Sequence, residues 1–205
     1  DPFNPAHTCL PSPQNLVAWQ LANSTAFKFG RVDNGQTARL FCFGYNIGIH
    51  LAVDIANADG PGGVPWVTFA GGDLEAAKPL VVDNTSSVEV GAANGCTFTG
   101  YAFGPNQAAD NSALINATFT GRLSFTNCDF TGVITNGIHY KQGATGWLGV
   151  VNCYFAQWTS SAITLEGPAA VGSGKANIGY NYFRATTVPT IMVSDRMTGV
   201  ISNNI

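Results

Sequence analysis

The sequence predicts an all-β fold of short parallel strands stacked coil upon coil, and three observations predict it. A small residue followed by apolar–x–apolar recurs along the chain. A phenylalanine stands at a fixed distance before the last three of these units. The composition, finally, replaces charge with Gly, Asn, Ser and Thr: of 205 residues only 10% are charged, 45% are apolar and 24 are glycine. That balance disfavours long surface helices, which rely on Lys, Glu and Arg, and suits many short strands joined by turns.

Residues 1–25, opening on the Pro-rich "DPFNPAHTCLPSPQ", read as a linker or loose cap in which "PQNLVAWQLA" has room for a helical turn. The repeat then runs Ala26-Phe-Lys-Phe, Gly48-Ile-His-Leu, Pro79-Leu-Val-Val, Ala113-Leu-Ile-Asn, Gly137-Ile-His-Tyr, Ala162-Ile-Thr-Leu and Thr190-Ile-Met-Val, at intervals of 22, 31, 34, 24, 25 and 28 residues. Cys128-Asp-Phe130, Cys153-Tyr-Phe155 and Asn181-Tyr-Phe183 precede the last three units, each Phe seven residues before the small residue. Cys96-Thr-Phe98 is an earlier copy, and Asn203-Asn-Ile205 begins another. A gap that stays fixed while loop lengths drift marks a strand and bend inside a stacked coil. Each strand then pairs in parallel with its copy one coil on, about 4.8 Å away. Alternation turns the two apolar residues of each triplet inward and the middle one outward. Extra length is expected in Gly-rich loops at 56–78 and 100–111, with "DLEAAK" at 73–78 the other place for a helical turn.

Variable coils of this length, the Asn/Cys-x-Phe strand and Asn at the bends resemble the right-handed parallel β-helix of the pectin-lyase-like superfamily. Phage tailspikes and polysaccharide-degrading enzymes are among its members. The resemblance covers 26–205 and implies one domain, a right-handed parallel β-helix of about seven or eight coils. The final "GVISNNI" matches the opening of a coil without its return strand. An open cross-section exposes apolar side chains and unpaired backbone groups. The helix is therefore expected to continue beyond residue 205 or to be covered by another subunit. The tailspike resemblance implies a homotrimer; end-to-end stacking with another β-helix segment is the alternative.

Net charge is −3 without a basic run, which removes support for a nucleic-acid role. No apolar stretch is long enough to span a membrane. Five cysteines without a C-x-x-C pair argue against a zinc site or a complete disulfide framework, so no metal or cofactor is expected. Cys96, Cys128 and Cys153 share a column that Asn181 and Asn203 continue. Adjacent parallel strands present side chains awkwardly for the S–S torsion, so these read as free, buried thiols. Cys9 and Cys42 have no assigned partner.

His50 and His139 fall in one outward slot of different coils, a slot that also reads Lys28, Val81, Ile115, Thr164 and Met192. About 15–20 Å should separate them, too far to share a metal. The slot two residues on reads Gly30, Ala52, Asp83, Ala117, Lys141, Glu166 and Ser194. His139, Lys141, Glu166, Asp195 and Arg196 thereby form the densest charge cluster. Glu166 and Asp195 could be the paired carboxyls of a glycosidase, which stand about 5–10 Å apart. His139 or Lys141 as base, with Arg196 holding a substrate carboxylate, would instead serve β-elimination on an acidic sugar. A solvated charge ladder, adding at most about 1 kcal/mol, is the structural alternative. The Asn-Thr-Asp, Asp-Asp, Gly-His-Gly and Arg-Ile-Lys motifs of polygalacturonase-like members are absent, as is the Trp-Ile-Asp-His of calcium-dependent pectate lyases.

The outward slot between Cys/Asn and Phe reads Thr97, Asp129, Tyr154, Tyr182 and Asn204. Tyr154 and Tyr182, with Asp129 and Trp158, make a candidate platform for pyranose rings, with Trp66 and Trp147 in loops or bends nearby. Ordinary cross-strand aromatic pairing, worth about 0.2–1 kcal/mol, is the competing reading. Together these features point to recognition of a cell-surface polysaccharide, with cleavage as an added activity, by an extracellular or virion-borne appendage. A secreted polysaccharide lyase or glycoside hydrolase and a purely structural β-solenoid of a fibre or surface layer are the rivals.

Overall fold

The computed structural model describes residues 13–30, 32–52, 65–83, 89–101, 110–168, 174–184 and 187–205. Helix α1 (Pro13–Asn23) leads into β1 (Thr25–Phe29) and three long strands, β2 (Val32–Leu51), β3 (Pro65–Val82) and β4 (Glu89–Gly100). Shorter strands follow: β5 (Asn111–Ile115), β6 (Arg122–Thr126), β7 (Asp129–Gly132), β8 (Ile134–Tyr140), β9 (Trp147–Val151) and β10 (Tyr154–Phe155). The last are β11 (Trp158–Leu165), β12 (Gly174–Gly179), β13 (Tyr182–Phe183), β14 (Ile191–Val193) and β15 (Met197–Ser202). Among the described residues every strand pairing is parallel, and the strands join into one nearly closed sheet, an all-β arrangement compatible with a parallel β-solenoid.

The pairings sort into three ladders. The first runs β1-β2-β3-β5-β8-β11-β14, the second β2-β3-β4-β7-β10-β13 and the third β2-β3-β4-β6-β9-β12-β15. β2 and β3 are long enough to serve all three, and β2 bends through left-handed residues at Arg39 and Gly44. Period-2 alternation carries the core as the sequence predicts. Ile49, Leu80, Ile138 and Ile163 are buried in one column of the first ladder. In the second, Phe98, Phe130, Phe155 and Phe183 stack at 5.3, 4.7 and 5.0 Å between successive ring centroids. Phe125 of the third ladder meets Phe98 and Phe130 edge-on, tying two ladders into one core.

Four expectations are corrected. Residues 73–78 are strand, not a helical turn, because all but Ala77 pair with β2, and Leu74 and Ala76 bury their side chains. Tertiary pairing overrides the local helix preference of Leu-Glu-Ala-Ala-Lys. The 56–78 segment is accordingly no loop over its β3 part, while most of 100–111 lies outside the described residues. The Ala113 copy is shifted by one: Ala113 itself stands beside Leu80 and Ile138, so Leu114 faces outward and Asn116 follows two residues later. β5 is buried on both faces, so its alternation carries no polarity contrast from which to read register. Last, Asn203 is a left-handed bend residue like Asn127, Asn152 and Tyr180. Asn204 therefore matches Asn181, whose N–H and Nδ2–H both donate to Asn204 Oδ1, and Ile205 falls beside Tyr182 rather than in the Phe column, 84% exposed.

At the start, α1 begins with Pro at its first turn, where a missing N–H costs nothing. It rests on β2, with Gln20 Nε2–H donating to Gly44 O at 3.1 Å. No described helix is long and apolar enough to cross a membrane.

Candidate functional site

Each residue of the repeated Gly-Ile-His has a separate job. A Cβ on Gly137 would lie 2.6 Å from Ala162 O and 2.7 Å from the Phe155 ring, and one on Gly48 would lie 2.6 Å from Pro79 O. The next strand approaches too closely for any side chain there. Ile49 and Ile138 are buried. His50 and His139 face outward, and each meets a carboxylate two positions beyond the matching slot of the next strand.

At the first of these sites, the His139 Nε2–H donates to Glu166 Oε1 at 2.8 Å, and the Gln142 backbone N–H donates to Glu166 Oε2 at 2.8 Å. Partial burial pushes the Glu166 carboxyl up, but Gln142, the His139 hydrogen bond and charge, and Lys141 outweigh it and hold it below the ordinary carboxylate range. Glu166 is therefore an anion that orients the imidazole. Behind the pair lies a satisfied polar cluster. Asn136 Nδ2–H donates to Asn111 Oδ1 at 2.8 Å, while Ser161 and Thr164 donate to Asn136 Oδ1 at 3.0 and 2.9 Å. These bonds lock β8 against β5 and β11, which fixes where His139 stands.

The second site repeats the first. His50 Nε2–H donates to Asp83 Oδ2 at 2.5 Å, and Asn116 Nδ2–H donates to Asp83 Oδ1. The His50 hydrogen bond lowers the Asp83 pKa against the opposing effect of burial, helped by Asn116 and by the charges of His50 and Lys28. Sequence reasoning placed Asp83 in the correct slot but missed the pair. The rule that a carboxylate follows His by two positions in the next copy would have found it. β3 and β5 separate the two histidines, three strand spacings or about 14 Å, just under the expected separation. Val81 and Leu114, facing outward between them, are themselves buried, so the two pairs are distinct sites.

Asp195 and Arg196 lie in the turn after β14, next to the Glu166 end of β11. The charges acting on Glu166 are those of His139 and Lys141, and Asp195 is not one of them. Asp195 instead accepts from Ser194 Oγ at 3.3 Å, and the Arg196 backbone N–H donates to Ser194 Oγ, inside a tight turn closed by Met197 N–H to Ser194 O. A Cβ on Gly167, the residue after Glu166, would lie 3.3 Å from the Arg196 Cβ, so this turn stands beside the end of β11. The hydrogen-bond partner of the Glu166 side chain on the preceding strand is thus a histidine.

The aromatic site lies on the second ladder, across the left-handed bend at Gln157 from Glu166 and His139. Tyr154 and Tyr182 stack at 5.6 Å with an interplanar angle of 11°, in register with Asp129. Each ring spends a face on its neighbour, so the stack shows solvent mainly ring edges and hydroxyls. Tyr182 is 54% exposed, with Ile205 beside it on the side away from Tyr154. Burial, and then the neighbouring Cys128, push the Asp129 carboxyl up. Trp158 is not part of a platform: it is buried, edge-on to Phe183, with its Nε1–H donating to Pro189 O at 3.1 Å. Trp147 opens β9 instead of a loop and carries the Arg122 guanidinium 4.6 Å over its ring, with Lys175 next in register. The Trp66 side chain lies outside the described residues.

No protein-family model, curated protein or solved structure matches this chain. Function therefore has to be argued from these sites alone. Among the described residues no group of three or more His, Cys, Asp or Glu side chains is arranged to hold a metal ion. The chemistry on offer is that of a carboxylate-oriented imidazole beside an ammonium group, and of a tyrosine–aspartate surface.

Proposed function

We propose that this protein is a right-handed parallel β-helix of seven or eight coils, of the pectin-lyase-like kind, that recognises a cell-surface polysaccharide from an extracellular or virion surface and cleaves it by elimination. The observation that carries the reading is the His139–Glu166 hydrogen bond with Lys141 beside it. Glu166 fixes the orientation of the imidazole, leaving Nδ1 to take the proton next to a uronate carboxylate. Lys141 would then offset the charge that develops on that carboxylate. Elimination is favoured over hydrolysis because the groups at Glu166 are an imidazole and an ammonium, a base and a cation. Tyr182 and Asp129 would bind the chain at a distance from the reacting sugar.

The test is incubation with a panel of acidic and neutral surface polysaccharides. Ultraviolet absorbance of unsaturated uronate supports elimination; reducing ends without it would move the assignment to hydrolysis. Neither product, together with no retardation in affinity electrophoresis, would remove the polysaccharide reading. Homotrimeric assembly belongs to the same proposal and is checked by sedimentation.

A second reading has its own support. The His50–Asp83 pair is built identically at a distinct position, as expected if His–carboxylate pairs serve to clamp neighbouring strands of a purely structural solenoid. Loss of stability without loss of any glycan binding in His139→Gln would favour it.

A further inference from the structure

Cys96, Cys128 and Cys153 occupy equivalent positions on three successive rungs of the second ladder, each one residue before its outward Thr97, Asp129 or Tyr154. All three are free and buried. Each thiol follows directly on a bend residue, Gly95, Asn127 or Asn152, in the left-handed conformation. Asn94, Asn127 and Asn152 form an exposed amide ladder over the column, with Asn127 donating to Asn94 at 3.0 Å and Asn152 to Asn127 at 2.6 Å. Asn181 closes the far end, its Oδ1 accepting from the Cys153 N–H at 2.8 Å. Cys128 is the centre of the row, and each thiol has a backbone carbonyl as acceptor: Cys96 Sγ–H reaches Asn94 O at 3.8 Å, Cys128 Sγ–H reaches Thr126 O at 3.3 Å and Cys153 Sγ–H reaches Val151 O at 3.4 Å.

Three thiols in a straight row cannot converge on one point, so the column is wrong for a tetrahedral zinc ion. It suits a different geometry. Neighbouring rungs are about 4.8 Å apart, and two metal–thiolate bonds of about 2.3 Å laid end to end span nearly that distance. Soft thiolate ligands select ions such as copper(I). We propose that this column is a binding site for a soft, two-coordinate monovalent cation of the copper(I) class, held between Cys128 and one of its two neighbours. Binding releases two protons, 2 R–SH + M⁺ giving [RS–M–SR]⁻ + 2 H⁺, with no change in oxidation state. The third thiol keeps its proton and its backbone carbonyl acceptor.

The experiment gives reduced, full-length protein one equivalent of copper(I) under anaerobic conditions and challenges it with bathocuproine disulfonate. Wild type should retain the ion with a sulfur-to-copper absorption band. Cys96→Ala, Cys153→Ala and Cys42→Ala should each retain it, because an intact pair remains, whereas Cys128→Ala should lose it to the chelator. Should Cys128→Ala fail to fold, the double variant Cys96→Ala/Cys153→Ala isolates Cys128 and must lose the ion too. Surrender of copper by wild type, or retention by the variants that lack every adjacent pair, overturns the proposal.

Discussion

Glu166 reaches back one strand to His139 in the same way that Asp83 reaches back to His50. In both cases the imidazole projects from the middle of an inward–outward–inward triplet and the carboxylate lies just past the end of the next strand. Parallel stacking makes this repeatable, because equivalent residues stand directly beside one another. A Gly-Ile-His unit therefore becomes a His–carboxylate pair wherever the following copy supplies an acid two residues after its own outward slot.

Glu166→Gln keeps the shape of the side chain and removes its charge. If the domain cleaves glycan, turnover should be abolished while glycan retention stays near wild type. Full product release by this variant, measured against the responsive polysaccharide, would discard the His139–Glu166 site.

Acid should loosen the same contacts. Glu166 and Asp83 both have folded pKa values below their ordinary ones, so in that window the unfolded chain binds more protons than the native one. Their stabilisation is present above the unfolded carboxylate value near about 4 and is lost as pH falls through the folded values. The denaturation midpoint should fall as pH drops below that range. In the double variant Glu166→Gln/Asp83→Asn the fall should be shallower, and equal slopes would contradict the assignment.

Gly137→Ala puts a methyl group against Ala162 O and the Phe155 ring. The strands must part or Phe155 must tilt, at about 1–3 kcal/mol. Urea titration reads the cost directly, and a variant as stable as wild type would show that the close approach is not required.

Phe155→Ala removes an inner ring of the continuous stack, with Phe130 on one side and Phe183 on the other. The cavity should cost about 3–5 kcal/mol. A loss under about 1 kcal/mol in urea titration would mean that the column does not pack as a core.

Much of this architecture was legible because a stacked parallel fold repeats its spacing in the chain. The seven-residue offset from Phe130, Phe155 and Phe183 located the aromatic column, and the Ile-x-Leu triplets located the first ladder. Legibility failed where chemistry lacked contrast. At β5 both faces are buried, and Ala113 serves equally as a small or an apolar residue. At the end two adjacent asparagines fit the same slot, and only the left-handed φ of Asn203 decides between them. The contact of Asn116 with Asp83 was hidden behind the first of these slips.

What the sequence alone determined was thus the period, the inward columns and the outward slots of the histidines, since burial imposes alternation on every copy. The tertiary structure decided the pairings. Whether Glu166 meets His139 or Asp195, whether Trp158 faces solvent or Phe183, and whether the tyrosines show faces or edges depend on side-chain direction and on the turns between strands. Periodicity says nothing about either. It places a residue on a side of the sheet, and only the packed neighbours settle what that residue touches.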